Sequence, residues 1–375
     1  MTIRGSEKEP SPVPDAIDIL VLGSGSFAAR ILFDLAATTT APLTVAVAGR
    51  NRDRLDWLRT AANARAEMFG RPIRCVSQAI DLLEADATAE LLEHHRPAVV
   101  VQAASLQPGS VISSTGNAWS QLVAEGGLSA TAVFQARLSM RVARTLQRVH
   151  STGRLINCCF PDVVNSMIAA AGLPIACGIG NVAILAHAFA GAQPDAPPHS
   201  LKLLAHYQTI APWRRPKEER VGPLPRVWIG DEELTDALAR FAEVRLTPEP
   251  VIDISGASGV PLIQAMAFGT EWVGHVPGPN GLPGGYPVRY RAGTVELDLP
   301  GSLSQDEAIV WNASFEAANG LVVEGGCARY TGRLYDRFRR ASPELAAGFA
   351  VADIDAVYDE MVALRARLQS RTALD

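Results

Sequence analysis

Three stretches of this chain combine residue types and spacings that could do chemistry. In "AIDILVLGSGSFAARILFDLA", the largely apolar run Ile17–Leu22 is followed by Gly23, Gly25 and Ala28. This is a G-x-G-x-x-A pattern. Gly23 permits a tight turn, Gly25 lets the backbone approach a pyrophosphate, and Ala28 lets helix and strand pack closely. Ser26 and Phe27 open the helix, whose N-terminus would face the phosphates. In "LTVAVAGRNRDRL", the second strand ends at Arg50 and Asn51, where NAD binders usually carry an acid for the ribose. An arginine there can pair a 2′-phosphate, so NADP is favoured over NAD. Arg54 reads as a solvated residue in the first turn of a helix over 51–69. In "LKLLAHYQTIAPW", His206 falls at a strand end. Histidine suits proton transfer near neutral pH, which makes His206 the candidate acid/base.

Other polar residues lie near expected strand ends. Gln102, Ala103, Ala104 and Gln107 follow the strand "PAVVVQAAS", Asn157 closes "RLINCCF", and Asn181 follows "LPIACG". Ala103, Ala104 and Asn157 are candidates for holding the cofactor. Gln107, Asn165 and Asn181 are candidates for the substrate, with capping and loop roles as rivals. Asp162 follows Pro161 at a helix start, where a carboxylate is stabilised, and it is a candidate partner that orients His206. Cys158 and Cys159 read as buried structural thiols, because nothing nearby would lower a thiol pKa. Tyr286, after "LPGG", is a candidate cleft residue.

The elements that must position these groups alternate. Strands at 17–22, 43–49, "IRCVSQA", "PAVVVQAAS", "RLINCCF" and "LPIACG" are separated by helical stretches, including a long one over 128–150. Repeated strand–helix units imply an α/β, doubly wound parallel sheet of the Rossmann kind, with ligands at the carboxyl ends of its strands. From about residue 200 the pattern becomes α+β. "GVPLIQAMAFG" is a helix and "GLPGGYPVRYRAGTVELDLP" reads as a hairpin. "SQDEAIVWNASFEAANGLV" is a helix capped by a Ser304/Glu307 box, and "VADIDAVYDEMVALRARL" is a last helix. The expected organisation is a disordered tail over 1–15, a dinucleotide-binding domain over 16–190 and a substrate and oligomerisation domain over 191–375.

Bulk composition narrows the function classes. Hydrophobic residues are 48% and charged residues 19% of the 375, enough for a large core. The formal net charge of -5 offers no basic footprint for nucleic acid. Five cysteines without CxxC spacing argue against a disulfide framework or structural zinc. The apolar stretch 170–192 looks like a membrane span, but Pro174, Gly178, Gly180 and Asn181 interrupt it. It reads instead as a buried strand, a cofactor-facing turn and a core helix capped by Asn181, with His187 a core histidine. A soluble cytoplasmic protein is expected.

Over roughly residues 17–325 the order of landmarks resembles the lactate/malate dehydrogenase superfamily. "VVVQAASLQPGS" is similar to its fourth strand and mobile substrate loop, and "NCCFPDVVNSMI" to its Asn-Pro-x-Asp stretch. "CGIGNVAILAHAF" resembles the start of its catalytic helix, "LKLLAHYQTIAPW" its catalytic-His strand, and "ISGASGVPLI" and "YPVRYRAGTVELDLPGSLSQDEAIVWNASFEAA" its C-terminal domain. The resemblance implies hydride transfer with a nicotinamide cofactor, proton transfer at His206, and a homo-oligomer. The sequence also departs from it. The family's Asp and Arg on the catalytic helix fall near Ile184 and His187, and the loop arginine is absent, leaving Gln107. A standard 2-hydroxy acid oxidation therefore loses support. Asp162 could replace the missing Asp, and Arg214 or Arg215 the missing arginines, although "RRPKEER" also reads as a solvated charge run.

Two narrower resemblances set alternatives. "GNVAI" is similar to a motif of the NAD- and metal-dependent glycosidases, which carry a metal-binding Cys directly before Asn-Val. Here Gly180 holds that place and Cys177 lies three residues early, so no metal is expected. The first 110 residues look like saccharopine dehydrogenase-like reductases, which reduce imines made from amino acids and keto acids. The leading expectation is an NADP-dependent oxidoreductase acting on a small polar carbonyl or hydroxy compound. An opine- or saccharopine-type imine reductase and a catalytically silent NADP-binding protein are the alternatives.

Overall fold

The computed structural model describes residues 16–107, 116–150, 152–247 and 251–372. The expected tail over 1–15 and residues 108–110 of the stretch likened to a mobile substrate loop lie outside the described residues.

Six strands form one sheet: β1 (Ile19–Leu22), β2 (Leu43–Gly49), β3 (Ile73–Ala79), β4 (Val99–Gln102), β5 (Arg154–Asn157) and β6 (Cys177–Gly178). Their order is β3-β2-β1-β4-β5-β6 and every pairing is parallel. All four residues of β1 and of β4 are buried. Both faces of the sheet are covered, so these strands are continuous apolar runs rather than alternating ones. The sixth strand is shorter than "LPIACG" implies: only Cys177–Gly178 pair, after Pro174 has removed a ladder donor.

The helices α1 (Ser26–Thr38), α2 (Arg52–Met68), α3 (Ala85–His95), α4 (Ala118–Gly126), α5 (Ala132–Val149), α6 (Val163–Ala170) and α7 (Val182–Gly191) follow in chain order. On one face of the sheet, α1 and α2 pack with α8 (Val260–Phe268) and the antiparallel strands β10 (Trp272–Pro277), β11 (Gly285–Arg291) and β12 (Thr294–Leu297). On the other face, α5 and α6 share a core with Leu321–Leu368. That segment holds β13 (Leu321–Glu324), β14 (Cys327–Tyr330), the helix α10 (Gly332–Ala341), β15 (Phe349–Ala350) and the closing helix α11 (Ile354–Gln369). Residues counted with the second domain in the sequence thus return to seal the helices of the first.

Between these parts, β7 (Leu201–Leu204), β8 (Arg226–Ile229) and β9 (Glu232–Glu233) form a small antiparallel sheet over α7. β7 is shorter than "LKLLAHYQTIAPW" suggests. After Leu204 the chain makes one antiparallel bridge, Ala205 to Gly285 on β11, and then turns into a 3-10 helix over Tyr207–Arg214. That bridge sets His206 against α9 (Gln305–Asn319), whose N-terminus carries the expected Ser304/Glu307 capping box.

Candidate active site

The glycine turn is shaped by backbone. Gly23 has φ +120, and a Cβ there would lie 2.8 Å from Ala103 C and from Ala104 N, so the turn rests on the end of β4. Gly25 is exposed, and a Cβ on it would meet nothing within 4 Å. It is the N-cap of α1, without a side-chain cap and without an acid in the first turn. The first N–H groups of α1, including those of Ser26 and Phe27, therefore have no side-chain acceptor there, as an incoming phosphate requires. Ala103 N–H donates to Leu22 O at 2.8 Å, and the Ala104 carbonyl accepts from the Cys159 thiol at 3.2 Å.

At the end of β2, Arg50 is exposed and lines a cavity of about 710 Å³ together with Arg52, Gln78, Ile80 and Asp81. Asn51 serves the fold, since its Oδ1 accepts from Arg54 N–H at 3.0 Å and caps α2. Arg54 is not a merely solvated residue, because its Nε donates to Ser24 O at 3.2 Å and braces the glycine turn.

A second group of polar residues is buried around the carboxyl ends of β5 and β6. His206 is 1% exposed and lies between two partners. Its Nδ1 accepts from Gln208 N–H at 3.3 Å, which leaves the ring proton on Nε2, and Nε2–H donates to Glu316 Oε1 at 2.9 Å. The ring stacks on Phe315, with centroids 5.1 Å apart. Glu316, not Asp162, is the carboxylate that orients His206. Its signal in the sequence is weak: Ala308, Asn312 and Glu316 recur every four residues on the buried side of α9, two of them polar.

Asp162 precedes α6 but makes no side-chain cap bond. Instead it accepts from Asn181 Nδ2 on both oxygens, at 2.6 and 2.7 Å. Burial pushes its carboxyl up to about 7; His206 and the Asn181 amide pull it back, and Glu316 raises it. Asn181 likewise does not cap α7 with its side chain, and it is held at φ 44, ψ -103. Tyr207 faces the same cluster and meets Phe160 edge-on at 5.1 Å. Burial, then Glu316, pushes its hydroxyl up to about 12. On its outer side, Tyr207 lines a cavity of about 410 Å³ with Gln208, Leu128, Val123 and Arg333.

Several expected site residues are used up inside the fold. Asn157 Oδ1 accepts from Ser139 Oγ at 3.0 Å and Cys159 N–H at 3.2 Å, and its Nδ2 donates to Asn165 Oδ1 at 2.9 Å. Both asparagines are buried and serve each other rather than a ligand. Gln107 is 2% exposed, and its Oε1 accepts from Arg365 of α11 at 3.2 Å. Arg214 is half-buried and donates to Thr247 O at 3.4 Å. Tyr286 is fully buried and donates to Pro283 O at 2.7 Å, so it does not line a cleft. His187 lies on the exposed side of α7, not in the core. In "RRPKEER", Arg220 is buried over Trp213 and donates to Val244 O, whereas Arg215 is exposed. Burial raises the thiols of Cys158 and Cys159, the latter to about 11, in keeping with structural cysteines. Among the described residues no group of three or more His, Cys, Asp or Glu could hold a metal ion. No described helix is long and apolar enough to cross a membrane.

No protein-family model matches this sequence, and no curated protein matches it. Solved structures do. Malate dehydrogenase from Picrophilus torridus superposes with a TM-score of 0.54 at 12% identity, over 92% of this chain and 98% of that one. Lactate dehydrogenase from Cryptosporidium parvum, complexed with lactic acid and nicotinamide adenine dinucleotide, gives 0.52 at 17%, over 81% and 96%. Malate dehydrogenase from Archaeoglobus fulgidus in complex with NADH gives 0.52 at 15%, over 79% and 96%. The fold is that of the lactate and malate dehydrogenases. Along the carboxyl edge of the sheet, the glycine turn follows β1, and the cluster of Asp162, Asn181, His206 and Glu316 gathers at the other end, beyond β5 and β6.

Proposed function

We propose that this protein is an NADP-dependent oxidoreductase that transfers hydride to or from a small polar carbonyl or hydroxy compound. The observation that carries the reading is the glycine turn: open space over Gly25 at a bare helix N-terminus, with the end of β2 against it, where a Cβ on Gly49, the residue before Arg50, would lie 3.8 Å from Ser24 Oγ. Those features fit a dinucleotide. Backbone N–H groups of Ser26 and Phe27 would meet the pyrophosphate, Ala103 and Ala104 would flank the dinucleotide, and Arg50 would pair a 2′-phosphate. When bound, the nicotinamide supplies acceptance or donation of hydride. Two of the three solved structures named above support a nicotinamide cofactor, being complexed with NAD in one case and NADH in the other. The preference for NADP rests on Arg50 alone.

The chain's own contribution is to place a proton-exchanging group beside the reacting carbon and to exclude water. His206, Asp162 and Glu316 supply the candidate groups, and the cavity of about 410 Å³ lined by Tyr207 and Gln208, the two residues after His206, is large enough for a small substrate.

Fluorescence titration with NADPH and NADH tests the reading. NADPH should bind at least about tenfold more tightly, and Arg50→Asp should abolish the difference, since one charge-assisted bidentate pair accounts for about 1.4 kcal/mol or more. Binding of neither nucleotide would overturn the oxidoreductase reading in favour of a silent scaffold. Turnover that requires an amino acid together with a keto acid would point to imine reduction instead.

A further inference from the structure

Hydride transfer between an alcohol and a carbonyl needs one proton acceptor at the substrate oxygen. His206 occupies the expected place, yet neither ring nitrogen is available. Nδ1 accepts from the Gln208 amide, Nε2–H donates to Glu316, and the ring face is covered by Phe315. A histidine that hands over a proton must have one nitrogen directed at the substrate. Asp162 is placed differently. Both its oxygens accept from one neutral amide, Asn181 Nδ2, yet a carboxylate has about four lone-pair sites and so keeps acceptor capacity, and among the described residues no cation forms an ion pair with it. It sits five residues beyond Asn157 at the carboxyl end of β5, and Asn181 sits three beyond Gly178 at the end of β6. In open α/β sheets that edge is where a ligand lies.

Resting on the reading of this chain as a nicotinamide-dependent oxidoreductase, we propose that Asp162 is the catalytic proton carrier, and that His206, Glu316 and Asn181 are positioning residues. In the oxidative direction the substrate C–H leaves as hydride, carrying both electrons to the oxidised nicotinamide. The O–H proton passes to the Asp162 carboxylate, and the C=O bond forms. In the reductive direction the neutral Asp162 returns that proton to the carbonyl oxygen as hydride arrives. Atoms and charge balance in both directions with no further reagent.

The groups facing Asp162 account for its readiness to exchange. His206 comes from the turn after β7, Glu316 from α9, Asn181 from the turn before α7, and Tyr207 from the adjoining 3-10 helix. Burial holds the carboxyl near 7, so it is close to half protonated at neutral pH. An oxidised nicotinamide brings a positive charge into this low-dielectric edge and favours the carboxylate, whereas the reduced ring is neutral. Oxidised and reduced cofactor should therefore differ in the proton they displace.

The test needs no substrate. Calorimetric titration with NADP⁺ and with NADPH, in buffers of different ionisation enthalpy, reads the protons released on binding. At pH 7 NADP⁺ should release roughly half a proton per site more than NADPH. Affinity for NADP⁺ should rise roughly fivefold from pH 6 to pH 8 relative to NADPH, a ratio that cancels the titration of the 2′-phosphate. Asp162→Asn should remove both differences while NADPH still binds. Binding of both nucleotides with equal proton release in the wild-type protein overturns the role of Asp162 and leaves the cofactor reading standing. Binding of neither overturns the cofactor reading and the proposal with it.

Discussion

The two ends of the sheet's carboxyl edge are built on opposite principles. At β1 and β2 the candidate cofactor cradle is contiguous in sequence, exposed, and shaped by backbone: Gly23 lies against the end of β4, and Gly25 faces open space. At β5 and β6 the polar cluster is assembled from residues 162, 181, 206 and 316, and its members are mostly buried side chains that satisfy one another. The first region tolerates no Cβ at Gly23 and has open space at Gly25. The second tolerates no loss of a partner, because a buried polar group left alone costs its full desolvation.

The contrast is most open to challenge at Gly23. Gly23→Val combines φ +120 with a Cβ 2.8 Å from two backbone atoms at the end of β4, and it should cost at least about 3 kcal/mol in urea unfolding. Gly25→Ala sits at φ -73 with nothing nearby, so stability should change by less than about 0.5 kcal/mol while NADPH affinity falls. Equal destabilisation by the two would erase the distinction between a packed glycine and an open one.

Next in size is the partner of His206. Glu316→Ala leaves a buried ring N–H without an acceptor and should cost about 2 to 3 kcal/mol, whereas Glu316→Gln keeps an acceptor and should cost about 1. A smaller loss for Ala than for Gln would show that the pair is not what orders the cluster.

Asp162 adds a dependence on pH. Its carboxyl is raised from 3.8 to about 7 in the folded protein, so the native state holds a proton that the unfolded chain has lost in between. Stability should fall as pH rises through that window and level off above it. Between pH 5 and pH 8 the wild-type protein should lose roughly 2 kcal/mol more than Asp162→Asn, read from urea midpoints at the two pH values. Parallel losses in the two proteins would mean that Asp162 is ionised throughout.

The smallest effect lies outside both regions. Ser304→Ala removes half of the capping box of α9 and should cost about 1 kcal/mol by thermal unfolding, with cofactor affinity unchanged. A simultaneous loss of cofactor binding would indicate that the angle of α9, and through it Glu316, reaches the cradle.

Most of the architecture is legible in the sequence. Gly23, Gly25, Ala28 and the alternation of apolar runs with amphipathic stretches announce a doubly wound sheet, and Ser304 with Glu307 announces the start of α9. These are local patterns, set by what a residue allows its own backbone or one turn of helix to do. The site is legible only in part. His206 and Asp162 are recognisable as chemically apt, but their partners are not. Glu316 lies 110 residues from His206 in the chain, and Asn181 lies 19 from Asp162 across a strand. The asparagines 157 and 165 look like ligand groups in sequence, yet the fold turns them toward each other.

Local sequence is enough for the order of elements and the backbone of the glycine turn, because hydrophobic periodicity and the lack of a Cβ act over a few neighbouring residues. Which polar groups are used on one another, and which are left for a ligand, is settled when distant segments pack together. A hydrogen bond depends on position in space, and burial turns each choice of partner into a matter of several kilocalories that no local pattern records.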